Sequence, residues 1–138
     1  MENRVTINNQ QLIIEPQGLD KVWAVKRQLS ILLDHISGAT IDEGIFGHLV
    51  QGFQNPGTAI PGIYYAGTFY LGGDKTFFNI KRTSKPVVIE LHDEDYDRIV
   101  IGVENPRHLV DQINNSIKHK AGKKLQIRFF PALLFIHI

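Results

Sequence analysis

The stretch Asn105-Pro106-Arg107-His108-Leu109-Val110-Asp111-Gln112-Ile113-Asn114-Asn115-Ser116-Ile117-Lys118 follows about a hundred residues that read almost wholly as short strands. Asn105 offers a side-chain oxygen to the first unpaired N–H groups of a helix, and Pro106 takes the first helical position, where its missing N–H costs nothing. Leu109, Val110, Ile113 and Ile117 recur at helical spacing and form one apolar stripe. Lys118, His119 and Lys120 place positive charge at the C-terminal end, and Gly122 stops the helix. That stripe must be buried, so the preceding strands have to supply a surface for it.

Upstream, Val5–Ile7 and Gln11–Glu15 flank Asn8-Asn9-Gln10, and Asn tolerates the left-handed backbone of a tight turn, so the segment predicts a β-hairpin. Further strands are expected at Val22–Arg27 and at Gln28–Ile36, where Leu29, Ile31 and Leu33 alternate against Ser30, Leu32 and Asp34. Ile63–Leu71 turns at Gly72-Gly73-Asp74 into Thr76–Lys81. Val87, Ile89 and Leu91 alternate with Val88, Glu90 and His92, and after an acidic turn Ile99, Ile101 and Val103 alternate with Arg98, Val100 and Gly102. The last four runs predict an antiparallel meander, and so many strands predict closure into a barrel or a two-sheet sandwich. The fold class expected is therefore mainly β with one C-terminal helix, which plugs an open end.

Asp42 to Gly62 lacks periodicity and carries five glycines with Pro56 and Pro61, so it predicts a long surface loop. Phe46, Phe53 and Ile60 are its bulky apolar residues, either tucked onto the sheet or presented to a partner. They are the candidate partner-binding residues.

One domain fits the 138 residues, and the absence of cysteine excludes disulfides and thiolate metal sites. Met1-Glu2-Asn3-Arg4 lacks the layout of a secretory signal, and a cytoplasmic setting is expected. The net charge of +1 is unevenly spread: Lys118, Lys120, Lys123, Lys124 and Arg128 follow the last carboxylate, Asp111, and leave −4 on residues 1–111. The domain is expected to occupy 1–121, followed by a basic and apolar tail, 122–138, as an extra strand or without fixed structure. Ten of the last fourteen residues are aliphatic or Phe, too few to span a bilayer as a helix.

Six segments carry a family likeness: Ile14-Glu15-Pro16-Gln17-Gly18-Leu19-Asp20-Lys21-Val22-Trp23, Ile41-Asp42-Glu43-Gly44, Pro56-Gly57-Thr58-Ala59-Ile60-Pro61-Gly62, Ala66-Gly67-Thr68-Phe69, Val87-Val88-Ile89-Glu90-Leu91 and Val103-Glu104-Asn105-Pro106. From about Val5 to Lys120 the chain resembles a group of short bacterial pleckstrin-homology (PH)-like proteins. The resemblance implies a PH-like seven-stranded antiparallel barrel capped by the C-terminal α-helix. Two features depart from it. Phosphoinositide-binding PH domains grip phosphate with basic residues around the first hairpin, whereas the turn here is Asn8-Asn9-Gln10. The tail beyond Lys124 also lies outside the likeness.

Chemical motifs are sparse. Asp93, Asp95 and Asp97 lack the turn glycine and distal glutamate of a calcium loop, so His92–Asp97 reads as a solvated turn with Tyr96 folded back on the sheet. The six histidines show no zinc spacing, and His35 reads as a hydrogen-bonded structural residue. No P-loop, nucleophile elbow or dinucleotide fingerprint occurs. The acidic body disfavours nucleic acid. The sequence thus predicts a non-enzymatic module without cofactor, catalytic residue or metal, which binds a protein or peptide along an open strand edge beside the helix. The alternative is a membrane-surface module in which Lys120, Lys123 and Lys124 meet anionic lipid while Phe129 and Phe130 enter the interface. An apolar tail also makes a homo-oligomer a third expectation.

Overall fold

The computed structural model describes residues 3–16, 28–46, 58–60 and 64–118. The strand expected at Val22–Arg27 and the tail 122–138 lie outside them. Among the described residues the chain is mainly β with one C-terminal helix. The strands are β1 (Arg4–Asn8), β2 (Gln11–Glu15), β3 (Leu29–Leu32), β4 (Ile36–Ile41), β5 (Thr58–Ile60), β6 (Tyr64–Leu71), β7 (Asp74–Lys81), β8 (Val87–Leu91) and β9 (Arg98–Ile101). Helix α1 takes in residues 106–118.

These strands do not form a seven-stranded antiparallel barrel. They make two open sheets, one ordered β1-β2-β3 and the other β4-β8-β9-β7-β6-β5. The run read as one strand from Gln28 to Ile36 is broken by a 3-10 turn, Leu33–His35, which carries the chain from the small sheet into the large one. Leu29, Ile31 and Leu33 are nonetheless all buried, because the turn preserves their common side. The stretch expected to be loop from Asp42 to Gly62 contributes the edge strand β5.

The expected meander is also replaced. β6 and β7 form the hairpin read from Gly72-Gly73, whose glycines take φ of 59° and 91°. β9 then inserts between β7 and β8, parallel to the first and antiparallel to the second. The acidic loop between β8 and β9 accounts for this order. Lys75 N–H donates to Asp97 Oδ2 at 2.8 Å, Asp97 N–H donates to the Lys75 carbonyl at 2.8 Å, and the Lys75 ammonium bridges Asp95 at 3.0 Å. The loop is thereby fastened to the start of β7, and β9 has to set out beside that strand. Ile99, Val100 and Ile101 are all 0% exposed, as suits a central strand covered on both faces.

One face of the large sheet presents Phe77, Val87, Ile89, Leu91, Ile99 and Ile101. Leu12, Ile14, Leu29 and Ile31 of the small sheet pack there, together with Leu109, Val110 and Ile113 of α1. The apolar stripe of the helix is buried as its spacing required. Asn105 caps it, accepting the His108 N–H at 3.2 Å. The opposite face carries Tyr65, Phe69, Leu71, Phe78, Ile80, Val88 and Val100, with Ile45 and Phe46 in the same cluster.

Candidate functional site

A β-rich molecule built from open sheets is most reactive, in the physical sense, at its strand edges, where backbone donors and acceptors lack a neighbour. The edge strand β4 is closed at Ala39 by a side chain. Asn114, on α1, accepts the Ala39 N–H through Oδ1 at 2.9 Å and donates Nδ2–H to the Ala39 carbonyl at 2.9 Å. The carboxamide thus completes both bonds that a further strand would make at this residue. At Ala39 the strand edge beside the helix, where a peptide is expected from sequence, is taken by the protein's own side chain. Asn114→Ala should cost about 1–2 kcal/mol and speed hydrogen exchange at the Ala39 amide, measured by NMR; unchanged exchange there would show that Asn114 does not guard the edge.

The edge of β1 differs. Asn9 and Gln10, at φ of 50° and 66°, make a two-residue turn of the type that matches strand twist. Such a turn closes on the bonded pair Asn8↔Gln11, so Thr6↔Ile13 and Arg4↔Glu15 are bonded as well. Asn3, Val5 and Ile7 therefore direct N–H and C=O away from β2. Asn3 confirms the phase: its N–H donates to the Gly102 carbonyl at 3.0 Å. Among the described residues, Val5 and Ile7 have no such partner. Their side chains are half-buried on the core, while Arg4, Thr6 and Asn8 are exposed.

Asn3 fixes where this edge begins. It is 5% exposed, and its Nδ2 donates to the carbonyls of Asn79 at 3.0 Å and Gly102 at 2.8 Å. Asn79, 0% exposed, returns a bond from its Nδ2 to Asn3 Oδ1 at 2.6 Å.

Of the residues singled out from sequence, Phe46 and Ile60 lie among the described ones. Phe46 is buried, 5.6 Å from the Tyr65 ring, with the Arg82 guanidinium 4.9 Å from its own ring centre. It is tucked onto the sheet, the first of the two alternatives. Ile60 pairs with Tyr64 through β5. Phe53, Lys120, Lys123, Lys124, Phe129 and Phe130 lie outside the described residues.

Elsewhere the polar groups are engaged in structure. His35 Nδ1 meets Glu94 Oε2 at 2.6 Å, as a hydrogen-bonded structural histidine should. Ser37 Oγ lies 2.9 Å from His92 Nδ1, but Glu94 serves His35, so serine, imidazole and carboxylate do not line up as a relay. Tyr96 folds back into the core, and its hydroxyl meets Thr68 Oγ1 at 3.0 Å. The hydrogen bonds that the Lys75 ammonium donates to Asp95 hold it above its usual pKa. Partial burial opposes the Arg98 charge, but Glu90 at 2.8 Å and Asp74 at 3.3 Å outweigh it and raise its pKa. Among the described residues no three His, Asp or Glu side chains are placed to hold a metal ion, and no helix is long and apolar enough to cross a membrane. A shallow depression of about 460 Å³ lined by Ser84, Lys85, Val103, Glu104 and Pro106 gathers charges of both signs.

No family model, curated protein or solved structure matches this chain. Sequence reasoning missed the β1 edge and its counterpart at Asn114. The first was legible in the phase set by the Asn9-Gln10 turn; the second left no local signal.

Proposed function

We propose that this chain is a non-enzymatic binding module that takes an extended segment of a protein as an added strand along β1. The supporting observation is the contrast between two edges of one fold: β4 is satisfied at Ala39 by Asn114, while Val5 and Ile7 hold their backbone groups outward. Main-chain bonds to such an edge supply affinity, and alternate side chains supply selectivity. On this reading the chain is a relative of the bacterial PH-like group that binds through a sheet edge and not through a basic first hairpin.

Val5→Pro tests it. The Val5 N–H points away from β2, so proline there spares the ladder, as on edge strands generally, yet it removes one outward donor. Short random peptides selected by display on the wild-type protein should bind the variant about tenfold more weakly, the equivalent of one backbone hydrogen bond with its neighbours disturbed. The same peptides should shift the Val5 and Ile7 amide resonances of the wild-type protein. Equal affinity of the two proteins, with those resonances unmoved, overturns the reading. Pelleting with anionic liposomes in place of peptide binding would favour the membrane-surface alternative.

A further inference from the structure

We infer that the strand added along β1 is β1 of a second copy of this chain. The inference rests on the edge reading above and names its occupant. Outward backbone groups sit on Val5 and Ile7, with Thr6 between them, so a two-fold axis passing beside Thr6 sets Val5 opposite Ile7 of the partner subunit and Ile7 opposite its Val5. Both become bonded pairs of an antiparallel ladder. The same residues then serve both subunits, as an isologous contact requires.

The side chains accept this register. Val5 and Ile7 meet on the core side, where each is already half-buried. On the exposed side Arg4 faces Asn8 and Thr6 faces Thr6 of the partner subunit, so the sole charged residue of the strand never meets itself. Like charges directly opposite would oppose pairing, and threonines opposite each other support it. The other two symmetric registers, centred on Val5 or on Ile7, use one outward residue each and forfeit half of the bonds. Asn3 marks the limit, because its N–H is already bonded to the Gly102 carbonyl. The pairing joins two three-stranded sheets into one of six. The contact is short, so the dimer forms in proportion to concentration and is not obligate.

The chain has no cysteine, which makes one introduced thiol an unambiguous probe. Thr6 and the partner's Thr6 form a non-bonded pair across the axis, with Cα atoms about 4.5 Å apart, within the range a disulfide spans. Thr6→Cys should therefore give a covalent dimer under mild oxidation. Arg4→Cys places its two thiols about 14 Å apart along the strands and should cross-link at least tenfold more slowly. Asn8→Asp, which sets a carboxylate opposite Arg4 of the partner subunit, should speed cross-linking of the Thr6→Cys protein; Asn8→Lys should slow it. Equal, slow cross-linking of Thr6→Cys and Arg4→Cys overturns the self-pairing, as does indifference to the charge at position 8. If self-pairing fails while Val5→Pro still weakens peptide binding about tenfold, the edge reading stands and only its occupant changes. If both fail, β1 is not a binding edge.

Discussion

Phe78→Ala should lower the free energy of unfolding by about 3–5 kcal/mol, the range for deleting a fully buried phenylalanine. Phe78 is 0% exposed and stands edge-on to Phe69, with ring centres 5.2 Å apart at 80°. Tyr65 approaches it at 6.5 Å and 61°. Such aromatic pairs contribute about 0.5–1.5 kcal/mol beyond the buried area. Val88 and Val100 share its face of the large sheet, so neighbouring strands cannot collapse into the space without leaving their ladder. Since a domain of this size is stable by about 5–15 kcal/mol in all, the variant should show a much lower urea midpoint with an unchanged slope. A loss below about 1 kcal/mol would mean that this face of the sheet is not a second core.

That second core shows how far period counting reaches. The alternation read at Val87, Ile89 and Leu91 and at Ile99, Ile101 and Val103 counts every second residue, although Val88 and Val100 between them, like adjacent Phe77 and Phe78, are apolar too. Val88, Val100, Phe77 and Phe78 are all buried. Continuous apolar runs of this kind belong to strands covered on both sides, and they were the available signal that β7, β8 and β9 lie in the middle of a sheet. The order of those strands was not available. It depends on Asp95 and Asp97 reaching Lys75 across some twenty residues, a contact that no local pattern encodes. Elements fixed by neighbouring residues were legible: the Asn9-Gln10 hairpin, the Gly72-Gly73 turn, the Asn105 cap and the stripe of α1. Elements fixed by distant ones were not, among them the place of β9 between β7 and β8 and the lock of Asn114 on Ala39. The candidate site divides the same way. The phase of β1 follows from its own turn, whereas the lack of a neighbour on its edge among the described residues emerges only by contrast with β4.

The Asn3–Asn79 pair offers the sharpest test of how that edge is held. Asn79→Leu keeps the branched outline but removes the donor to Asn3 Oδ1, leaving a buried amide oxygen short of its 2.6 Å bond. The expected loss is about 1–3 kcal/mol. Asn3→Leu removes that bond and two more, to the carbonyls of Asn79 and Gly102, and should reach the upper end of the same range. The double variant should be more stable than the sum of the two losses implies. Two apolar side chains facing each other leave fewer stranded polar groups than one apolar side chain facing an amide, and coupling of about 0.5–3 kcal/mol is usual for residues in one network. Urea unfolding of the four proteins measures it, and strictly additive losses would show that the amides are satisfied independently. The edge should respond unequally. Asn79→Leu leaves Asn3 bonded to two backbone carbonyls, so cross-linking of the Thr6→Cys protein should persist. Asn3→Leu loosens the start of β1, and cross-linking should fall with it even under conditions where the rest of the fold remains intact.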